Sequence, residues 1–341
     1  MNLYVHFPFC RSKCAYCALR SSAGRPEEER RNYVSGIIRQ LAHLFASTLN
    51  PQLSTLYFGG GTPALCDLSP ALAALAPHVS PSTEFTVELN PLDVTPALLR
   101  QLRLGGVNRL SMGVQSLDDA TLRAMNRPHS AAQAREAWRM IRGEGFTNAG
   151  IDLICGWPSD AWERTLDGVR ELAPDHCSVY TLILEPGTPL ARDVERGKVS
   201  LPSDDTALAE LAAAERALAE IGLERYEISS FAKPGFECRH NLATWRGEDY
   251  IGIGDGACSR EGDAVSRVIF RLRLLKEGFS PASAAADFPE LAPRVPGWTA
   301  ILDRFVAEGL LKCSQSCHKE KTYFLTQRGT EVCDTILAEL I

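Results

Sequence analysis

The sequence predicts an α/β protein: a partial parallel (β/α) barrel followed by a C-terminal winged-helix-like α+β domain. The first observation is a sustained alternation of short β-rich runs and longer amphipathic runs between Asn2 and Tyr226. Such alternation is typical of parallel strands joined by crossover helices. The second is a change of pattern near Phe231, where a stretch rich in glycine, aromatic and polar residues begins. The third is a compact helix, strand, turn and helix at the end of the chain.

The predicted strands are short runs rich in branched and aromatic side chains. They are Leu3–Phe7, Thr55–Phe58, Phe85–Leu89, Arg109–Val114, Thr147–Ile154, Ser178–Leu184 and Arg225–Ile228. The predicted helices repeat apolar residues at steps of three and four, as one buried helix face requires. They are Glu27–Phe45, Pro70–Leu75, Pro96–Leu104, Ala131–Gly143, Trp162–Leu172 and Asp204–Gly222.

The rest of the chain divides into a connecting segment and a C-terminal domain. We predict the barrel over residues 1–228, the connection over residues 229–262 and the C-terminal domain over residues 263–341. The last domain is predicted to contain a helix, a strand and a final helix: Thr299–Leu311, Thr322–Leu325 and a run to Ile341. This order is typical of winged-helix domains, many of which bind DNA. Its charges are mixed and form no basic face, so nucleic acid is not an expected partner.

Composition and charge narrow the class of protein. Of the 341 residues, 45% are apolar and 23% are charged, as in ordinary folded proteins. The net charge of −6 argues against a general nucleic-acid binder. No run approaches about 18 consecutive apolar residues and the first residues do not form a signal peptide, so we predict a cytoplasmic protein without a membrane span. The 11 cysteines are an odd number, which favours reduced thiols, some bound to metal, over disulfides.

Cys10, Cys14 and Cys17 form a C-x3-C-x2-C motif directly after the first predicted strand. Thiolates are soft ligands that suit zinc or iron–sulfur clusters. A structural zinc site needs four ligands, and no fourth ligand is nearby in the sequence. Three thiolates on one [4Fe–4S] cluster would instead leave one iron open to an external molecule. Loops that follow strand ends are also where barrel enzymes place their active sites.

This motif resembles the signature of the radical S-adenosylmethionine (SAM) superfamily, and longer segments resemble its oxygen-independent coproporphyrinogen III oxidase-like family. The similarity begins at Tyr4-Val5-His6-Phe7-Pro8-Phe9-Cys10 and continues to about residue 259. The other similar segments, in chain order, are Phe58-Gly59-Gly60-Gly61-Thr62-Pro63, Glu88-Leu89-Asn90-Pro91, Ser111-Met112-Gly113-Val114-Gln115-Ser116, Arg127-Pro128-His129, Asp152-Leu153-Ile154-Cys155-Gly156-Trp157-Pro158 and Tyr226-Glu227-Ile228-Ser229. The resemblance implies a partial barrel of the radical SAM type.

The resemblance also implies a [4Fe–4S] cluster on the three cysteines, with SAM chelated to the open iron through its amine and carboxylate. In the superfamily the reduced cluster then cleaves SAM to methionine and a 5′-deoxyadenosyl radical. Arg127 is expected near the carboxylate, which a guanidinium holds through two parallel bonds. Glu88 and Asp152 are expected near the amine or the ribose, and the glycines let their backbone approach SAM closely. The full set of expected SAM contacts is Tyr4, Gly60, Gly61, Thr62, Glu88, Gln115, Arg127 and Asp152.

A later segment, His240-Asn241-Leu242-Ala243-Thr244-Trp245, resembles the His-Asn-x-x-Tyr-Trp segment associated with haem in the chaperone branch of the family. The resemblance implies haem binding by His240, Asn241 and Trp245, with the imidazole on the iron and the indole over the porphyrin. Two residues depart from the branch pattern. Thr244 replaces the tyrosine, and Cys258 stands where histidine is common.

Two classes of function remain open. The first is a haem chaperone, which binds haem, passes it to an acceptor haem protein and needs a reductant for its cluster. The second is a coproporphyrinogen III dehydrogenase or another radical SAM enzyme acting on a tetrapyrrole. The dehydrogenase pattern has a longer segment before the cluster and a further cysteine where this chain has Leu19. The sequence therefore favours the chaperone.

The C-terminal domain contains a second group of possible ligands. Cys313, Cys317 and His318, with Cys333 later, have spacings that a small metal site could use. We expect packed structural cysteines in a wing instead.

Overall fold

The computed structural model describes residues 1–47, 52–158, 161–260, 262–315 and 320–341. The strands are β1 (Asn2–Phe7), β2 (Phe9–Cys10), β3 (Ser22–Ala23), β4 (Thr55–Gly60), β5 (Glu84–Leu89), β6 (Arg109–Gln115), β7 (Ala149–Cys155), β8 (His176–Thr181), β9 (Glu224–Arg225), β10 (Ser230–Ala232), β11 (Tyr250–Ile253), β12 (Leu311–Gln315) and β13 (Lys321–Leu325). The α-helices are α1 (Glu27–Ser47), α2 (Ser69–Leu75), α3 (Pro96–Leu104), α4 (Asp119–Ala124), α5 (Ala131–Gly143), α6 (Trp162–Leu172), α7 (Pro189–Glu195), α8 (Asp204–Glu220), α9 (Arg239–Arg246), α10 (Ala264–Ile269), α11 (Pro281–Asp287), α12 (Val295–Ala307), α13 (Gln327–Glu331) and α14 (Cys333–Ala338). Short 3-10 turns occupy Pro63–Leu65, Ala76–His78, Pro91–Asp93, Phe270–Arg273 and Pro289–Arg294.

The main sheet has nine strands among the described residues, in the order β11-β1-β4-β5-β6-β7-β8-β10-β9. Every pairing from β11 across to β8 is parallel. Strands that run in one direction end at one edge of the sheet, so the loops that follow them meet there. In the described part of the chain β11 and β9 lie at opposite ends of the order, which leaves the barrel open. The predicted α/β class with a partial parallel barrel is confirmed.

The barrel elements follow from local sequence signals. Central strands are buried along almost their whole length, as expected for parallel strands covered on both faces. Helix α5 shows how a helix start is encoded: the Ser130 side chain accepts from the Gln133 backbone, and the Gln133 side chain returns a bond to the Ser130 backbone. Every predicted helix of the barrel, and the first five predicted strands, match the structure to within two residues.

The predicted strand Ser178–Leu184 is displaced: β8 runs over His176–Thr181. It begins earlier because the His176 ring packs where Gly150 has no side chain, and a Cβ there would lie 1.9 Å from His176 Nδ1. A buried polar residue at a strand start gives no apolar signal. The apolar residues after Thr181 leave the sheet, and Leu182 and Ile183 line a cavity instead.

The predicted strand Arg225–Ile228 is also wrong beyond its first residue. Strand β9 ends at Arg225, whose Nε donates to the Ile228 carbonyl oxygen at 3.1 Å and so holds the chain in a turn. The sequence misses β11, which pairs in parallel with β1 through Leu3 and Ile251. Its sequence, Tyr-Ile-Gly-Ile, contains a glycine and lies in a segment whose apolar residues have no regular spacing, so the pattern did not predict a strand there.

The described chain forms two compact units. One contains Met1–Glu224, Phe231–Phe236 and Tyr250–Ser259, and the other contains Arg225–Ser230, Glu237–Asp249 and Arg260–Ile341. The segment 229–262, predicted as a connection, therefore contributes residues to both units.

In the second unit, helix α12 is followed by an antiparallel hairpin of β12 and β13, then by α13 and α14. The predicted helix Thr299–Leu311 is shifted, because α12 ends at Ala307 and Gly309 turns the chain with a φ of 75°. The predicted final helix to Ile341 is split at Val332, whose φ of −120° is not helical. Helix, hairpin and helix keep the order of a winged-helix unit.

No helix in the described ranges is both long enough and apolar enough to cross a membrane.

Candidate cofactor-binding site

A cavity of about 520 Å³ opens at the carboxyl ends of the barrel strands. Nine residues expected at the cluster or at SAM line it: Cys10, Cys14, Cys17, Gly60, Gly61, Glu88, Gln115, Arg127 and Asp152. They come from six separate segments of the chain. The parallel sheet brings these segments together because each lies in one of its strands or in the connection that follows a strand.

The cysteine loop, residues 10–19, is held against this edge by backbone bonds. The Ala15 amide donates to the Met125 carbonyl oxygen at 2.9 Å, and the Leu190 amide donates to the Ala15 carbonyl oxygen at 2.9 Å. The Asn126 side chain donates to the Lys13 carbonyl oxygen at 2.8 Å. The loop therefore has a fixed position on the rim of the barrel.

The three cysteines in this loop suit an iron–sulfur cluster. All three are partly buried and none is in a disulfide. Across the residues that the structure describes, no three His, Cys, Asp or Glu side chains are grouped to hold a single metal ion. A cubane cluster needs wider spacing, because each thiolate binds a different iron. Burial raises the pKa of the Cys17 thiol, which disfavours its thiolate unless a nearby positive charge compensates for the burial.

The glycine turn after β4 brings backbone to the cavity wall. Gly60 has a φ of 104°, a backbone conformation that residues with a side chain rarely adopt, and a Cβ there would lie 2.3 Å from the His6 ring. A Cβ on Gly61 would lie 2.6 Å from the Phe9 carbonyl oxygen and 2.7 Å from that of Phe7. Only glycine allows the chain to pass this close to the start of the cysteine loop.

Replacing Gly61 with Ala is expected to destabilise the protein by about 1–3 kcal/mol, the usual cost of an added methyl group in a packed site. The two carbonyl oxygens that it meets belong to backbone and cannot rotate away. Thermal unfolding measures the effect, with Gly143→Ala as the matched control because a Cβ there meets nothing within 4 Å. Equal unfolding midpoints for the two variants would contradict the close packing.

Two buried carboxylates form part of the cavity wall. Glu88 accepts from the Tyr57 hydroxyl at 2.8 Å and from the Gly60 amide at 3.0 Å. Burial, together with the nearby Asp152 carboxylate, raises the pKa of Glu88 to about 7. Asp152 accepts from the Ser111 hydroxyl at 3.1 Å, and burial raises its pKa as well. In their ionised forms these carboxylates are strong acceptors for a ligand's hydroxyl or ammonium groups.

Arg127 connects the strand ends to the cysteine loop. Its Nη1 donates to Cys14 Sγ at 3.4 Å, and its Nη2 donates to Asn90 Oδ1 at 2.6 Å and to the Gly113 carbonyl oxygen. The guanidinium is therefore fixed at the cavity wall with a positive charge beside the Cys14 thiol. Such a charge favours both a thiolate and an anionic ligand group.

Gln115 lies beside Arg127 in an unusual backbone conformation. Its φ of 68° follows an irregularity in the pairing of β6 with β7 between Gly113 and Gln115. Bulges of this kind are frequent next to active sites because they redirect a side chain. Here the strand ends with Gln115 in the cavity wall.

Two of the expected SAM residues are not part of the cavity wall. The Tyr4 hydroxyl pairs with His6 Nδ1 at 3.0 Å, and burial raises the pKa of Tyr4. Thr62 is buried, accepts from the Asn90 side chain at 2.6 Å and has its hydroxyl 4.0 Å from Cys10 Sγ. Contact of either residue with SAM stays a prediction.

Several cavity residues were outside the sequence-based set. Asn90 holds both Arg127 and Thr62, and its position two residues after Glu88 on the same strand end could have indicated it. Arg11 donates from Nε to Asp93 Oδ1 at 2.6 Å and ties the cysteine loop to the turn after β5. No sequence signal pairs these two residues. Aromatic and apolar residues complete the wall, among them Tyr16, Tyr180, Leu182 and Ile183.

The residues expected at haem lie in the second unit, on α9. His240 is only 7% exposed, so its ring faces protein rather than solvent in this structure. The Trp245 ring lies 4.6 Å from the Arg273 guanidinium and 6.0 Å from Phe270. Thr244 donates from its hydroxyl to the His240 carbonyl oxygen, within the helix. Haem binding by His240, Asn241 and Trp245 stays a prediction.

The second departure, Cys258, and the candidate ligands of the C-terminal domain lie elsewhere in the chain. Cys258, where histidine was expected, is an exposed thiol of the first unit. Cys313 is exposed on β12 and Cys333 is buried in α14. Cys317 and His318 lie outside the described residues, so a metal site that includes them is not described.

Comparison with known proteins identifies the scaffold. Residues 4–172 match the model of the radical SAM superfamily. The chain is 36% identical over 266 residues to the heme chaperone HemW of Escherichia coli, covering 75% of this chain and 69% of that protein. It is 34% identical over 267 residues to the mitochondrial radical S-adenosyl methionine domain-containing protein 1 of Danio rerio, covering 76% of this chain and 60% of that protein.

The solved structure of coproporphyrinogen III oxidase (HemN) from Escherichia coli, described as a radical SAM enzyme, is similar across 99% of this chain and 89% of its own. Its TM-score of 0.82 at 22% identity shows a shared fold. The parallel sheet, the cysteine loop at its edge and the identity to several relatives agree. The chain belongs to the HemW-like family of radical SAM proteins.

Proposed function

We propose that Cys10, Cys14 and Cys17 hold a [4Fe–4S] cluster and that SAM binds beside it in the barrel cavity. The observation that carries this proposal is the convergence of these three thiols, the glycine turn and two buried carboxylates on one cavity. When bound, the reduced cluster supplies an electron to the sulfonium of SAM.

The protein residues would bind and orient the cofactor. Arg127, fixed beside Cys14, would pair with the carboxylate of SAM. Glu88 and Asp152 would accept bonds from its amine or its ribose hydroxyls. Gly60, Gly61 and Gln115 would complete the contacts that line the cavity, and Tyr4 and Thr62 are the further predicted contacts.

We further propose that the chain is a haem chaperone, which binds haem and transfers it to an acceptor haem protein. The relatives named heme chaperone HemW, at 33–36% identity over 75% of the chain, support this. The segment from His240 to Trp245 supports it as well. In this proposal an external reductant serves the cluster, and an acceptor protein receives the haem.

The second candidate is a radical SAM enzyme that acts on a tetrapyrrole, such as a coproporphyrinogen III dehydrogenase. The burial of His240 keeps this candidate in view, because it weighs against haem ligation by that residue: a buried imidazole must become accessible before it can ligate haem iron. The absence of a fourth motif cysteine at Leu19 argues against the dehydrogenase.

Haem transfer separates the two candidates. Reconstituted protein is mixed anaerobically with haemin, separated from unbound haemin by gel filtration, and then incubated with apomyoglobin as a model acceptor. A chaperone gives a shifted Soret band and then passes the haem to apomyoglobin. His240→Ala is expected to weaken the Soret shift if this residue ligates the iron. Conversion of coproporphyrinogen to protoporphyrinogen with release of methionine, and no haem binding, would overturn the chaperone.

A further inference from the structure

Exposed apolar side chains are concentrated at the mouth of the cofactor cavity. Six large apolar residues of the described chain are exposed: Leu19, Leu104, Tyr180, Ile183, Val332 and Ile341. Leu19, Tyr180 and Ile183 are 58%, 46% and 68% exposed, and all three line the cavity. They come from the cysteine loop, from the end of β8 and from the segment after it. Single exposed apolar residues are ordinary, but a convergent group marks an interaction surface.

This group, which we call the apolar rim (Leu19, Tyr180 and Ile183), has cationic neighbours on one side. The Arg11 side chain also lines the cavity and is 52% exposed. Lys13 donates from Nζ to the Leu19 carbonyl oxygen at 2.6 Å, which places an ammonium beside the rim. Glu185, two residues after Ile183, also lines the cavity. The rim is therefore apolar in its middle, with the Lys13 ammonium and the Arg11–Asp93 ion pair beside the cysteine loop and a further carboxylate at Glu185.

Haem has the complementary chemistry: a flat apolar macrocycle with two carboxylates on one edge. A stable protein partner usually buries about 800 Å² on each side, far more than three side chains provide. The charges also give the ligand a direction, because its propionates would face the arginine and lysine and avoid the glutamate.

We propose that the apolar rim is a docking surface for haem, with the propionates toward Arg11 and Lys13. The proposal rests on the proposed haem-chaperone function and adds a surface separate from the predicted segment on α9. Haem on the rim covers the mouth of the cavity in which SAM is proposed to bind. Bound haem should therefore slow the dissociation of SAM from the cavity. No such slowing is expected if haem binds only at His240.

The test combines haemin affinity with SAM release. The Leu19→Ser/Ile183→Ser double variant removes the most exposed part of the rim, and Leu104→Ser is the matched control because Leu104 is 89% exposed and does not line the cavity. Reconstituted proteins are loaded with radiolabelled SAM, and its release into excess unlabelled SAM is followed with and without haemin. We expect haemin to slow release at least fivefold in the wild type and in Leu104→Ser, but not in the double variant. Haemin affinity of the double variant should fall at least tenfold.

The outcomes separate this inference from the proposed function. If wild-type protein binds haemin and the double variant binds it equally well and shows the same slowing, the rim is not the docking surface. If haemin binds but leaves SAM release unchanged in the wild type, the inference also fails while the chaperone function stands. If wild-type protein binds no haemin, the chaperone function fails and the inference with it. Equal cluster iron content in all three proteins shows that the substitutions leave the cysteine loop intact.

Discussion

Replacing Cys14 with Ala is expected to abolish the brown absorbance at ~400 nm of anaerobically reconstituted protein, because two thiolates do not retain a cubane cluster. Cys14 occupies the middle of the cysteine loop, and its sulfur is the one that the Arg127 guanidinium reaches. No other described cysteine lines the cavity besides Cys10 and Cys17. The loss should therefore be complete. Iron and acid-labile sulfide per chain, measured with the absorbance spectrum, check this result.

Cys258→Ala is the matched control for this experiment. Cys258 is an exposed thiol that belongs to the same unit but does not line the cavity. We expect it to keep the cluster. About four irons per chain in the Cys14 variant, the full content of a cubane, would refute the assignment of this cysteine.

Replacing Arg127 with Ala is expected to weaken SAM binding by about 1.5–3 kcal/mol, the scale of a charged hydrogen bond. This corresponds to roughly a 10- to 150-fold rise in the dissociation constant. The guanidinium is held by Asn90, Gly113 and Cys14, so its charge is already in place before a carboxylate arrives. Equilibrium dialysis of reconstituted protein with SAM measures the effect.

Two further variants keep this result interpretable. Arg123→Ala removes an exposed arginine from α4, close in sequence, and should leave the affinity for SAM unchanged. Arg127→Lys keeps the charge but not the forked geometry, and an intermediate affinity is expected. The iron content of each variant shows whether the cysteine loop is intact. Unchanged affinity in Arg127→Ala would remove this residue from the proposed SAM site.

The position of the site was predictable because parallel strands place their carboxyl ends at one edge. Cys10 follows β1, Glu88 is near the end of β5 and Asp152 lies in β7. The alternation of strands and helices predicted that strand ends meet, and the family resemblance selected these residues. Side chains that act through neighbours were not predictable in this way. The pair of Arg11 with Asp93 shows this, because the two residues lie in separate turns that no sequence signal relates.

The remaining errors concern residues whose place in the structure differs from what the apolar or polar pattern of the neighbouring sequence predicts. Leu182 and Ile183 extend an apolar run, which predicts strand, yet they leave β8 and line the cavity. His176 is polar but begins that strand, buried over a glycine. Burial of a polar side chain depends on tertiary packing, which a single sequence does not reveal.

Electron paramagnetic resonance of the reduced, reconstituted protein, recorded with and without SAM, tests the central claim most directly. A [4Fe–4S] cluster with one iron free of protein ligands should give a signal that changes when SAM is added, at a content of about four irons and four sulfides per chain. Protein that stays colourless after iron and sulfide supplementation, that holds zinc in their place, or whose cluster signal ignores SAM would contradict it.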